Sequence, residues 1–80
     1  MKRVESIDPD TSARVVLATF TLVGDEVVSD FRDRSFQREI EVNGLYTMKT
    51  GTVRPQDGRA FYDALDVAFA RSSFVAVAAD

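Results

Sequence analysis

Any catalytic chemistry in this chain would have to use carboxylates, hydroxyls or lysines, because the sequence contains neither histidine nor cysteine. Those two residue types supply the commonest general base and the usual soft metal ligand. Two carboxylate pairs, Asp63 with Asp66 and Glu39 with Glu41, could in principle divide acid and base roles. Both pairs fall at predicted solvent-facing positions, where nothing would set one carboxylate apart as the acid and the other as the base. We therefore expect no catalytic residue, no metal site and no cofactor, and we keep an enzyme using carboxylates as the third alternative.

Anion binding is a second chemistry, and four arginines could carry it. Arg32, Arg34 and Arg38 alternate with two phenylalanines, a composition typical of surfaces that stack bases and hold phosphates. Arg54 precedes a predicted helix start, where backbone amides attract anions. Acidic residues surround these positions, however, and the net charge of −3 disfavours nucleic acid and anionic membranes as partners. Binding of a small anionic ligand or a nucleic acid near the Arg32–Arg38 loop is therefore the alternative function.

The segment from Val53 to Leu65 has the pattern Val-x-Pro-x-Asp-Gly-x-x-Phe-x-x-Ala-Leu. With this pattern the chain resembles small uncharacterised bacterial proteins in which it opens a helix after a set of short strands. The resemblance implies no activity, cofactor or site residue, and it implies a bacterial, cytoplasmic protein. The residues predict the same helix by themselves, since Pro55 suits the first helical position and Asp57 suits the positive N-terminus.

The elements that would position these residues begin with a hairpin. The segment Arg14–Val23 is rich in β-branched and aliphatic residues and predicts a strand. Gly24-Asp25 is a two-residue turn signal, and Glu26–Phe31 forms the return strand. This turn places Phe20 opposite Ser29 and Ala18 opposite Phe31, and it puts the largest apolar side chains on one face.

Alternating apolar and polar residues over Phe36–Val42 predict a third strand. Asn43-Gly44 is a strong hairpin signal and predicts a fourth strand over Leu45–Lys49. The alternative is that Asn43-Gly44 forms a bulge or bend, which would leave three strands before the helix.

The helix follows, with Phe61, Leu65 and Phe69 on one apolar stripe, and Phe74–Ala79 predicts a last strand beside Arg14–Val23. The turn-forming residues 1–12 predict a flexible leader, and residues 13–80 a single domain. The predicted fold is α+β, a mainly antiparallel sheet of four to five strands in the order β-β-β-β-α-β or β-β-β-α-β, with one helix packed on one face.

One helix can cover only one face of such a sheet, and apolar residues on the open face would then be available to a partner. We predict a small non-catalytic association protein that binds itself or another protein through this open face. Isolated exposed valines on a sheet are the alternative explanation. The predicted contact residues are Val15, Leu17, Val23 and Val28, joined by Val75 and Val77 if the last strand turns these two away from the helix.

Overall fold

The computed structural model describes residues 1–80 and has an α+β fold, which confirms the predicted class. Four antiparallel strands form the main sheet in the order β3-β2-β1-β6, and β4 and β5 form a separate small hairpin. Neither α-helix has the length and hydrophobicity that a membrane-spanning helix requires. The elements are β1 (Lys2–Ile7), β2 (Arg14–Val23), β3 (Glu26–Phe31), α1 (Arg34–Asn43), β4 (Leu45–Thr47), β5 (Gly51–Val53), a 3₁₀ turn (Pro55–Asp57), α2 (Arg59–Phe69) and β6 (Val75–Ala79).

The β2–β3 hairpin has the predicted register. Ala18 lies opposite Phe31, Phe20 opposite Ser29 and Val23 opposite Glu26. Phe20 is fully buried and makes edge-to-face contacts with Phe31 and Phe61, with ring centroids 5.6 and 5.1 Å apart. Such aromatic contacts add to the free energy of burial.

Strand β1 corrects the prediction for the start of the chain. The flexible leader expected over residues 1–12 is wrong for residues 2–7, which lie in the interior of the sheet between β2 and β6. The last strand therefore pairs with β1 and not, as expected, with Arg14–Val23. Val4 is the buried anchor of β1, at 0% exposure, and the charged residues Lys2, Arg3 and Glu5 around it weaken the strand signal in the sequence.

Residues 34–43 form the helix α1, so the strand predicted over Phe36–Val42 is wrong. Asp33 caps this helix, because its Oδ1 accepts the N–H of Phe36 at 2.8 Å. Phe36 and Ile40 are four residues apart, a spacing that fits a helix face as well as a strand face. Ile40 is 2% exposed, whereas Val42 is 62% exposed, so only the helical spacing describes the buried side.

Gly44 ends α1, and Asn43-Gly44 is not the predicted hairpin turn. The N–H of Gly44 donates to the carbonyl of Ile40 at 2.9 Å, and its φ of 69° is one that glycine adopts readily. A Cβ at this position would also lie 2.5 Å from the carbonyl oxygen of Val53. The following strand is shorter than predicted, covers Leu45–Thr47 and pairs with Gly51–Val53.

The predicted helix after Pro55 is confirmed, although a 3₁₀ turn and Gly58 precede its α-helical part. The N–H of Arg54 donates to Asp57 Oδ2 at 2.7 Å, which holds the turn. Gly58 has a φ of 62°, and a Cβ there would collide with the carbonyl of Asp25 in the β2–β3 turn. Gly58 therefore allows the start of α2 to pack directly against this turn.

The core lies on one side of the main sheet, where α1, α2 and the β4–β5 hairpin pack, so two helices are present and not the one predicted. The other side of the sheet has no helix. The fully or nearly fully buried apolar residues are Val4, Ala18, Phe20, Ile40, Leu45, Val53, Phe61, Ala64 and Leu65.

Candidate association surface

A β-bulge at Leu17 reverses the faces of the three residues of β2 that precede it, Arg14 to Val16. Val4 lies opposite Ala18, but the next residue, Glu5, lies opposite Val16, so Leu17 is an extra residue in β2. Opposed residues in an antiparallel pair point to the same side of the sheet. Val16 therefore lies on the open face with Glu5, while Leu17 packs against the core next to Ala18.

The predicted contact patch is consequently divided between two faces. Val23 and Val28 lie on the open face and are 60% and 57% exposed, as the prediction requires. Val15 is 63% exposed but lies opposite Ser6 on the helix side, beyond the area that the helices cover. These three exposed valines do not form one continuous surface.

The other three predicted contact residues belong to the packed side. Leu17, Val75 and Val77 are partly buried against the core. Val77 lies opposite Val4, the buried residue of β1, so β6 turns its two valines towards the helices. The condition under which they would have joined the open-face patch is not met.

The centre of the open face is charged. Arg3 contacts both Asp80 and Glu5, and Glu5 also contacts Arg14 at 3.4 Å. The hydrogen bond and the charge of Asp80 raise the pKa of the Arg3 guanidinium above its ordinary value. This row of ion pairs crosses β1 and its neighbours, so the open face is not the apolar surface that the sequence suggested.

The four arginines predicted as anion-binding candidates do not surround one common site. Arg34 and Arg38 lie one turn apart near the start of α1, and Arg32 precedes the cap of the same helix. The Cγ of Arg54 lies beside Gly44, at the other end of α1. A helix of ten residues is about 15 Å long, so one small anion could not contact Arg34 and Arg54 together.

Lys2, which falls in the predicted flexible leader, has a structural role. Its ammonium lies 2.6 Å from Asp66 Oδ2, donates to the carbonyl of Tyr62 at 2.9 Å and sits 4.2 Å from the centroid of the Tyr62 ring. The Lys2 side chain is 11% exposed. These contacts attach β1 to α2. Asp66 is therefore held in an ion pair with Lys2 and does not form a free carboxylate pair with Asp63.

The free edge of β6 has a regular pattern of backbone groups. The N–H of Ile7 donates to Phe74 at 2.7 Å, and the N–H of Asp80 donates to Met1 at 3.1 Å. Because hydrogen-bonded pairs alternate along an antiparallel ladder, the even-numbered residues of β6 bond to β1. The N–H and C=O groups of Val75, Val77 and Ala79 therefore point away from β1, where no further strand lies.

One of these outward groups already has a partner within the chain. The Oγ of Ser72 accepts the N–H of Val75 at 3.1 Å and that of Phe74 at 3.2 Å. The free donors on the edge are therefore the N–H groups of Val77 and Ala79. The carbonyls of all three outward residues are available as acceptors.

Apolar surface lies beside this edge. Phe74 is 62% exposed immediately before β6. A cleft of about 240 Å³ opens between α2 and β6, where Phe69, Val75 and Val77 line it together with the polar side chains of Asp66 and Ser72. No charged side chain, proline or bulge protects β6 itself. The sequence signal for this surface is the uncharged run from Val75 to Ala79, which predicts a strand inside a sheet or at an interface.

The structure contains no cluster of three or more acidic, histidine or cysteine side chains that could hold a metal ion. No protein-family model, curated protein or solved structure matches this chain.

Proposed function

We propose that this protein is an association module that binds a partner by adding the partner's strand to the free edge of β6. The observation that carries the proposal is the pair of unpaired N–H groups of Val77 and Ala79 on a strand with no charged residue. An unpaired, uncharged edge is a template for another extended chain. Backbone hydrogen bonds would supply affinity, and the alternating side chains would supply selectivity.

The surface proposed here is the edge of the sheet and not its open face. The ion pairs of Arg3, Glu5 and Arg14 occupy the centre of that face, and an apolar partner would have to desolvate them. Val23 and Val28 are exposed near the β2–β3 turn and offer only a small apolar area. Pairing at the edge of β6 requires no charged side chain to lose its water. The backbone groups there would exchange hydrogen bonds to water for hydrogen bonds to the partner's backbone.

Anion binding near Arg32–Arg38, which was predicted as a loop and lies at the start of α1, is the alternative, and the distribution of the arginines supports it less. No acidic side chain forms an ion pair with Arg32, Arg34 or Arg38, which favours it, but Arg54 lies at the other end of α1. The absence of catalysis and the bacterial, cytoplasmic setting stay predictions from the sequence.

Amide hydrogen exchange of the full chain tests the proposal. The probe is a synthetic peptide with the sequence of residues 73–80, and its control is the same peptide with proline at the positions of Val77 and Ala79. We expect the first peptide to protect the amides of Val77 and Ala79 in the protein, and the control peptide to leave them unprotected. Fast exchange of both amides under all conditions, including high protein concentration, would overturn the proposal.

A further inference from the structure

We infer that the partner strand is β6 of a second copy of this chain, paired antiparallel with Val77 on the twofold axis. This inference rests on the proposed function and adds the identity of the partner. The two four-stranded sheets would then join into one continuous sheet, with both pairs of helices on the same side.

The outward backbone groups select the register of this pairing. Only odd-numbered residues of β6 can donate and accept across the edge, and a twofold axis beside Val77 is the one that pairs all three of them, Val75, Val77 and Ala79. Val77 then exchanges two hydrogen bonds with its own copy. The N–H of Ala79 donates to the carbonyl of Val75 in the second copy, and the reverse bond forms by symmetry. These four bonds leave the contact between Val75 and Ser72 intact.

The side chains are compatible with the same register. Val77 faces Val77, and Val75 faces Ala79, so apolar groups meet on the helix side of the joined sheet. Asp80 faces Phe74 of the second copy and not another Asp80, so no charge on this edge opposes its own copy. Like charges directly opposite each other would have destabilised the pairing.

The area available predicts a dimer of modest affinity. A stable interface buries about 1,200–2,000 Å² in total, more than five paired residues provide. Phe69, Phe74 and the cleft between α2 and β6 flank the edge and extend the contact. We therefore expect a dimer in the micromolar range, seen at high micromolar concentration and dissociating on dilution.

Light scattering and cross-linking test this arrangement, and the lack of native cysteine makes the second measurement clean. Paired residues of this type have Cα atoms about 5.5 Å apart, within the range of a disulfide. We expect V77C to form a covalent dimer under a mild oxidant, and V28C, on the other edge strand, to stay monomeric at equal concentration. Because Val77 contacts the core, folding of V77C is checked by circular dichroism. An equimolar mixture of A79C and V75C provides a second pair.

The outcomes separate this inference from the proposed function. A protein that stays monomeric at high micromolar concentration, or a dimer that cross-links through V28C and not through position 77, overturns the twofold pairing. If that monomer still protects Val77 and Ala79 on adding the peptide of residues 73–80, strand addition stands and only the identity of the partner is wrong. If the peptide also fails, both are wrong.

Discussion

The two edge strands of the main sheet, β3 and β6, differ in their charge and in what packs beside them. Strand β3 carries Glu26 and Asp30, and the 3₁₀ turn Pro55–Asp57 packs beside it. Strand β6 has no charged residue and no strand pairs with its outer side. A cleft between α2 and β6 opens beside it. Charges and covering segments are the usual means by which proteins prevent further strand pairing. We therefore expect a further strand to add at β6 and not at β3, and we call these the open edge and the closed edge.

The closed edge depends on a close approach that only glycine permits. Gly58 places the start of α2 against the carbonyl of Asp25, at the turn that joins β2 to β3. The open edge has no such contact, because the short connection of residues 70–74 leads from α2 directly into β6. Substitutions at these two places can therefore test the comparison separately.

The largest effect is expected from A78P, compared with A79P. The N–H of Ala78 bonds to β1 in the deduced ladder, so proline there removes an internal hydrogen bond and should cost about 3 kcal/mol of unfolding free energy or more. The N–H of Ala79 points outwards, so A79P should change monomer stability by less than about 1 kcal/mol and abolish association. Urea denaturation and light scattering measure the two quantities. Equal destabilisation by both prolines would show that the assignment of outward groups is wrong.

A smaller difference is expected at the closed edge, between G58A and G24A. Both glycines have a φ of 62°, but a Cβ at Gly24 would meet no atom within 4 Å. G24A should therefore cost only the backbone strain, about 1–2 kcal/mol. G58A adds overpacking against Asp25 and should cost about 1–3 kcal/mol beyond that. Chemical denaturation measures both, and equal losses would mean that the contact of α2 with the β2–β3 turn contributes nothing.

The smallest effect is expected from S72A. Loss of the Ser72 hydroxyl removes the acceptor for the N–H groups of Phe74 and Val75 and should cost about 1 kcal/mol of monomer stability. It also frees the N–H of Val75 to pair across the edge, so association should become tighter. Analytical ultracentrifugation of the variant and the unsubstituted protein gives the two dissociation constants. Weaker association of a folded S72A would contradict the deduced pairing of Val75 with Ala79.

The parts of the fold that the sequence predicted correctly have local signals. Gly24-Asp25 specifies the β2–β3 register, and Pro55 with the Phe61–Leu65 spacing specifies α2. For α1 the local signal was ambiguous, because Phe36 and Ile40 match both a strand and a helix. The N-cap at Asp33 and the helix end at Gly44 favour the helix over the strand. An aspartate before a helix is a start signal that can be seen in the sequence.

The parts that the sequence could not predict depend on distant contacts. Strand β1 has charged residues at positions 2, 3 and 5 and becomes an interior strand because Lys2 reaches α2 and Arg3 and Glu5 form ion pairs. The bulge at Leu17 has no local sequence signal, yet it decides which face Val15 and Val16 occupy. The candidate edge was visible as an uncharged strand, but its free side follows only from the order of the sheet.

The pairing of β1 with β6 has a consequence for the order of folding. Contacts between residues far apart in sequence slow folding, because the intervening chain must be ordered before they form. The β1–β2–β3 meander joins sequential neighbours and can form before α2 and β6 leave the ribosome. Until β6 docks, the far side of β1 presents its own unpaired backbone between Met1 and Ile7. A chain in which β6 has not docked therefore exposes the edge of β1, whereas the folded chain exposes the edge of β6.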